Sequence, residues 1–113
     1  MKLPAILPTI TLNGSPTPSL GDTITFTTTH DPTLDKYGVR IQLCAYQDGD
    51  LVYGAAGPHD QAFLLGGGSS VWLNSGAHDG AHCVAILYYW TYRGQQKFNP
   101  LATVEFEALG LPV

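Results

Sequence analysis

The stretch that decides the fold is Asp79-Gly-Ala-His-Cys-Val-Ala-Ile-Leu-Tyr-Tyr-Trp-Thr-Tyr92. From Cys83 to its end it contains no charged residue, no Gly and no Pro, and it is rich in β-branched and aromatic residues. Such residues favour the pleated, well-packed surface of a sheet. The stretch is also too short to cross a membrane as a helix. The pattern therefore predicts a central β-strand that is apolar on both faces.

The two faces of this strand carry different side chains, because successive residues of a strand point to opposite sides. A sheet with one side in water needs only one apolar row. The second row must then be covered by a loop or by another protein. The rows are Cys83, Ala85, Leu87 and Tyr89 on one face, and Val84, Ile86, Tyr88, Trp90 and Tyr92 on the other. Pairing of Cys83 with Cys44 would place the first row outside, whereas the reverse assignment exposes Tyr88, Trp90 and Tyr92; the sequence leaves both open.

The composition predicts a single domain with little surface charge. The chain has 113 residues, of which 44% are hydrophobic and 12% are charged; the charged share is about half of what is usual. Thirteen Gly and eight Pro suit many turns between short strands. The net charge of −4, without a basic stripe, argues against nucleic acid and against anionic membrane surfaces as partners.

The remainder of the chain predicts further short strands separated by turns. Residues 1–8 contain two prolines and are expected to form an extended N-terminal arm, and residues 9–113 a single domain. The clearest alternation places four threonines opposite Ile24 and Phe26. The predicted strands are 9–12, 22–29, 38–47, 50–54, 62–73, 81–92 and 101–108. No stretch has a helical apolar stripe, so the pattern predicts an all-β antiparallel sandwich of seven to eight strands, with a closed barrel as the alternative.

Few side chains in the sequence could take part in metal binding or catalysis. Imidazoles and carboxylates near His30, His59, His78 and His82 could ligate a metal. However, His78 and His82 would share a face only on a helix, not at the start of a strand. We expect polar loop residues there, with no metal and no cofactor. No nucleophile stands in a recognisable elbow, so the chain is not expected to be an enzyme.

The N-terminus does not have the pattern of a signal peptide, because its apolar run is short and broken by Pro4 and Pro8. Synthesis and folding in the cytoplasm are therefore expected. Cys44 and Cys83 are then predicted to be free thiols, since disulfides are rare in that compartment.

The order of the predicted strands resembles that of an immunoglobulin-like domain. Asp79-Gly80-Ala81-His82-Cys83 is similar to the Asp-x-Ala-x-Tyr-x-Cys corner of such domains. Cys83 stands at the tyrosine position and Ala85 at the position of the inter-sheet cysteine. Among immunoglobulin-like domains, those that lack a signal peptide, are low in charge and are rich in Thr and Gly resemble virion proteins of tailed bacteriophages.

This resemblance implies a non-enzymatic structural protein of a phage particle. The expected role is a capsid decoration protein that docks on the major capsid protein or another virion protein, located in the virion and present as a homo-oligomer on the particle. The arm and the second apolar row supply the predicted partner-binding residues: Leu3, Pro4, Ile6, Leu7, Leu87, Tyr88, Tyr89, Trp90 and Tyr92. The alternative is an immunoglobulin-like module that binds carbohydrate on a cell surface through Trp72, Trp90 and neighbouring tyrosines.

Overall fold

The computed structural model describes residues 6–67 and 70–112. Antiparallel strands dominate this part of the chain, which confirms the predicted all-β class. The strands are β1 (Thr9–Leu12), β2 (Thr23–Ile24), β3 (Phe26–Thr29), β4 (Arg40–Gln47), β5 (Asp50–Pro58), β6 (Phe63–Leu64), β7 (Ala81–Arg93) and β8 (Gln95–Ala108). Two short helices accompany them, the 3₁₀ helix Pro32–Tyr37 and α1 (Val71–Ser75).

The main sheet has four antiparallel strands in the order β5-β4-β7-β8. β7 comprises most of the stretch of residues 79–92 and lies between β4 and β8, as the prediction of a central strand required. Since β5 and β8 are edge strands, the described strands of this sheet do not close on themselves, and the barrel alternative is wrong.

A second layer packs on one face of this sheet. It consists of the pairs β1-β3 and β2-β6, and only Thr25 separates β2 from β3. The Thr25 carbonyl accepts a hydrogen bond from the Asn13 backbone N–H at 3.1 Å, which keeps the chain in place at this break. Between the layers lies one apolar core, which includes Ile10, Ile24, Phe26, Ile41, Leu43, Phe63, Leu65, Trp72, Cys83, Leu87 and Phe106.

The structure selects the row of β7 that faces this core. Cys83 and Leu87 are fully buried, while Val84 is only half-buried on the opposite face. The register explains the choice: Ala45 on the inward row of β4 lies opposite Cys83, so Cys44 lies opposite Val84 on the outer face. The two sulfurs therefore point to opposite sides of the sheet, and both cysteines are free thiols, as predicted.

The predicted strand 62–73 is wrong over most of its length. After the two residues of β6, the chain reverses at Gly66, whose φ of 70° is readily adopted by glycine. Ser70 then caps α1, with its hydroxyl accepting from the Leu73 N–H at 3.2 Å. This single helical turn places Trp72 in the core, where its indole Nε1 donates to the Asp79 carbonyl at 2.9 Å.

Candidate interaction surface

The hairpin of β7 and β8 continues beyond the rest of the sheet. The last pair between β4 and β7 is Arg40 with Tyr88, and the following five pairs of β7 and β8, down to Arg93 with Gln95, have no third strand beside them in the described structure. At about 3.3 Å per residue, this two-stranded ribbon extends about 17 Å. It contributes to the elongated shape of 58 × 33 × 22 Å and to a radius of gyration of 15.5 Å, compared with about 13 Å for a compact domain of similar size.

A change of register marks the point where the ribbon leaves the sheet. Leu87 pairs with Ala102, whereas the next residue, Tyr88, pairs with Pro100, so Leu101 is an extra residue in β8. Such bulges bend a strand and increase its twist. The bulge therefore separates the sheet from the ribbon.

One face of the ribbon is aromatic. The rings of Tyr88, Trp90 and Phe98 contact one another, with centroid distances of 4.7 to 5.9 Å. Their contacts leave Tyr88 only 4% exposed, and Trp90 and Phe98 half-buried. Tyr92 continues the same row towards the tip and is 69% exposed. The cluster thus ends in one aromatic side chain that the described chain leaves uncovered.

The opposite face of the ribbon is braced by polar contacts and by a stacked ring. The Asn99 amide donates to the Tyr89 carbonyl and the Thr91 hydroxyl, both at 3.3 Å, and to the Lys97 carbonyl at 3.1 Å. Tyr89 stacks on Tyr37, the last residue of the 3₁₀ helix, with centroids 5.2 Å apart and an interplanar angle of 23°. These contacts hold the ribbon in place on the face opposite the aromatic cluster.

The ribbon tip is basic although the whole chain is acidic. Arg93 and Lys97 lie on either side of Gly94, and no Asp or Glu occurs between Asp79 and Glu105. A shallow depression beside the tip is lined by Tyr37, Thr91, Tyr92, Arg93, Gln95, Gln96 and Lys97. An exposed tyrosine, two cationic residues and two glutamines therefore meet at the end of the ribbon, with Tyr92 and Gln96 on its aromatic face and Arg93, Gln95 and Lys97 on the opposite face.

The residues of β7 that were predicted to bind a partner differ in how far they are exposed. Leu87 is fully buried in the core row and does not line a surface, contrary to expectation. Tyr88 is covered by its aromatic neighbours, and Tyr89 lies against Tyr37. Trp90 and Tyr92 lie on the aromatic face of the ribbon. Binding of a partner through these residues stays a prediction.

The N-terminal arm is described only in part. Leu3 and Pro4 lie outside the described residues. Ile6 is exposed and Leu7 is 78% exposed, while the Leu7 carbonyl accepts from the Thr29 hydroxyl at 3.0 Å. The end of the arm therefore lies next to β3, with the side chains of Ile6 and Leu7 exposed.

The prediction that Trp72 contacts a sugar is wrong. Its side chain is fully buried and its polar nitrogen is already bonded to the Asp79 carbonyl. Conversely, Phe98 was not among the predicted site residues, because the last strand was predicted to begin at residue 101 whereas β8 begins at Gln95. The signal was present: Trp90 and Phe98 lie four residues on either side of Gly94, which is the spacing of a cross-strand pair around a turn.

The histidines near the start of β7 have separate partners. His82 lies between two carboxylates of β8, with Nε2 at 2.8 Å from Glu105 and Nδ1 in contact with Glu107. These hydrogen bonds, from Glu105 first and Glu107 second, raise the pKa of His82. His78 instead contacts the Leu111 carbonyl through Nδ1 at 3.1 Å. The two imidazoles therefore do not converge.

Comparison of the chain with models of known protein families, with curated proteins and with solved structures gives no match. Within the described ranges, neither helix has the length and apolar character needed to cross a bilayer.

Proposed function

We propose that the chain is a non-enzymatic interaction module with an immunoglobulin-like sandwich fold, and that it docks on the particle of a tailed bacteriophage as a capsid decoration protein. The strand order supports the fold. β1, the broken strand β2/β3 and β6 form one layer and β5-β4-β7-β8 the other, in the manner of the A-B-E and C′-C-F-G strands of such domains. The partner is the major capsid protein or another virion protein.

The observation that carries the docking role is the braced ribbon with an exposed aromatic end. Tyr92 projects from a row of contacting rings, and Tyr37 and Asn99 hold the ribbon from behind. Tyrosine presents a large contact area and loses little conformational entropy when it binds. A surface that is already ordered avoids much of the cost of ordering on association.

The charge of the tip indicates the chemistry of the partner surface. Arg93 and Lys97 line the same depression as Tyr92. A complementary partner would offer an apolar recess with acidic groups at its rim, which favours correct orientation and faster encounter. On a lattice of identical subunits, many such contacts would act together through avidity.

The arm supplies a second contact in this proposal. An extended segment can add main-chain hydrogen bonds to the edge of a neighbouring sheet. Ile6 and Leu7 are exposed, so they can engage a partner without being withdrawn from the core. Leu3 and Pro4 of the same arm are proposed to contact the partner with them.

The proposal is tested on virions of the phage that encodes the chain. We expect the protein in purified virions, with the ribbon tip against the capsid lattice in cryo-electron microscopy maps. A chain that lacks residues 1–8 should remain folded by circular dichroism but decorate the particles less completely. Virions without the protein would contradict the phage assignment, and unfolding of the shortened chain would contradict the docking role of the arm.

Carbohydrate binding is a second candidate function, and the depression beside the tip favours it. Its lining includes Tyr37 and Tyr92 together with Gln95 and Gln96, and sugars stack on aromatic rings while their hydroxyls bond amides. Trp90 lies on the same ribbon and is half-buried, so its fluorescence can report binding at the tip. Trp72 is fully buried and should contribute an unchanged background. Fluorescence titration with a glycan panel should give a saturable shift that is lost in Tyr92→Ala. A flat response would contradict this candidate.

A further inference from the structure

We propose that His30, Asp35 and His59 form a binding site for a divalent transition-metal ion, with zinc as the best fit. One ligand atom from each of the three side chains lies within 4.8 Å of the others. His30 Nε2 is 2.6 Å from the Asp35 carboxylate, and the two imidazole rings are 4.9 Å apart between centroids. Two imidazoles and one carboxylate form a ligand set that zinc accepts, with a fourth position left for water.

Backbone hydrogen bonds bring the three ligands together from different parts of the chain. His30 follows β3 directly, and Asp31 caps the 3₁₀ helix by accepting from the Thr33 N–H at 3.0 Å. At the other end of this helix, the Gly38 N–H donates to the Asp35 carbonyl at 3.0 Å. The backbone of Asp35 is therefore held in place by hydrogen bonds at both ends of the helix.

His59 is held by two contacts. Its backbone N–H donates to the Val39 carbonyl at 3.3 Å. Its Nδ1 lies 3.1 Å from the hydroxyl of Thr28 on β3. In metal sites, a partner of this kind on one ring nitrogen orients the imidazole and determines which nitrogen bears the lone pair. Thr28 is thus a positioning residue for the proposed site.

The geometry requires only small side-chain movements to bind the ion. Ligand distances of about 2.1 Å around a tetrahedral zinc place the ligand atoms about 3.4 Å apart. The contact between His30 and Asp35 would have to open by under 1 Å, and the other pairs would have to close by up to about 1.4 Å. Asp35 can move because its side chain is 62% exposed, whereas that of His30 is 10% exposed and anchors the site.

A bound ion would also stabilise the brace of the ribbon. The 3₁₀ helix that carries Asp35 ends at Tyr37, whose ring stacks on Tyr89. Coordination would tie this helix to the end of β3 and to the segment after β5. The metal site and the aromatic face are therefore mechanically connected through one short helix.

The test is zinc titration of the untagged chain after treatment with a chelator. Isothermal titration calorimetry should show one zinc ion per chain, and Co²⁺ should give the visible absorption of a tetrahedral site. We expect His30→Ala and His59→Ala each to weaken zinc binding at least tenfold and Asp35→Asn to weaken it clearly. Thr28→Val should weaken it by roughly 10–100-fold, as for other positioning partners of metal ligands.

Matched controls are the histidines outside the site. His78→Ala and His82→Ala should bind zinc as the parent chain does, since neither imidazole lies in this cluster. Absence of zinc binding by the parent chain would overturn the proposal. Unchanged binding by Asp35→Asn, whose exposed side chain can be replaced without loss of folding, would also overturn it, as would loss of binding in either control alone.

Discussion

Cys44 and Cys83 are the two thiols of the chain, and their surroundings give them different reactivity. Cys83 is fully buried in the core, and burial, with a smaller contribution from the Glu107 charge, raises its pKa to about 12. Cys44 is half-buried on the outer face of β4. Since the thiolate is the reactive form, Cys83 should be inert in the folded protein.

We therefore expect iodoacetamide at pH 8 to alkylate one thiol of the folded chain, Cys44, and to reach Cys83 only after unfolding. Mass spectrometry of peptides from native and denatured samples measures both sites. Cys44→Ser should abolish labelling of the native protein. Equal labelling of both sites, or a disulfide between them, would contradict the assignment of the two rows of β7.

His82 gives a second prediction at the level of a single side chain. Hydrogen bonds to Glu105 and Glu107 raise its pKa above the ordinary value of 6.5. A raised pKa means that the folded state binds the proton more tightly than the unfolded state. The stabilisation is therefore complete below about pH 6.5 and is lost as the pH rises through the folded pKa.

A titration of the His82 ring followed by NMR should give a midpoint above 6.5, and Glu105→Gln should lower that midpoint. All three side chains are exposed, so solvent screening keeps the effect on stability small. His78 provides an internal reference in the same spectra. A midpoint for His82 that does not change in Glu105→Gln would show that the contact does not persist in solution.

At the scale of elements, the 3₁₀ helix and the ribbon depend on each other through one stacked pair. Tyr37 stacks on Tyr89 on the face of the ribbon opposite the aromatic cluster. Replacing Tyr37 by Ala removes this brace but leaves the strand pairs of the main sheet unchanged. We expect faster amide hydrogen exchange at residues 89–93, with no change at residues 83–87, which lie between two strands.

Exchange measured by mass spectrometry on peptides from the two halves of β7 would test this dependence. Lys36→Ala is the matched control because Lys36 lies on the same helix, with its ammonium 5.2 Å from the centroid of the Tyr37 ring, but is not part of the stacked pair. The control should leave exchange in the ribbon close to that of the parent chain. If Tyr37→Ala changes the amide exchange rates of residues 89–93 and of residues 83–87 equally, the bracing role is contradicted.

Strands that are bounded by clear turn signals could be predicted from the sequence, and short apolar runs could not. β1 begins and ends as predicted, and β7 exceeds its predicted range by one residue, because clear turn signals limit both. The run from Val71 to Leu73 fits either a strand or a helical turn, since three residues do not define a period. In the structure, the Ser70 side chain caps this run and stabilises it as a helical turn.

For a related reason, only part of the candidate surface could be predicted from the sequence. The surplus of aromatic residues in β7 was visible, but the register that assigns them to one face was not. Only the pairing with β4 shows that Leu87 faces the core and that Tyr92 has no third strand beside it. Likewise, His30, Asp35 and His59 come together through the fold, with no motif in the sequence.

At the scale of the whole molecule, the protein is an elongated acidic domain with a basic aromatic tip. The net charge is −4, whereas the ribbon carries Arg93 and Lys97 without a neighbouring carboxylate in the sequence. Such asymmetry orients a protein as it approaches a surface of opposite charge. Contact through the tip is therefore favoured both by charge and by the exposed ring of Tyr92.

The most direct test of this central claim is the affinity of the purified chain for virions that lack it, measured by co-sedimentation. Tyr92→Ser removes the exposed ring of the tip, and Leu51→Ser removes a side chain that is 56% exposed at the turn between β4 and β5, away from the ribbon. We expect saturable binding by the parent chain and by Leu51→Ser, and binding at least tenfold weaker by Tyr92→Ser, which corresponds to about 1.4 kcal/mol. Equal binding by all three proteins would contradict docking through the ribbon, and no binding by the parent chain would contradict docking on the particle.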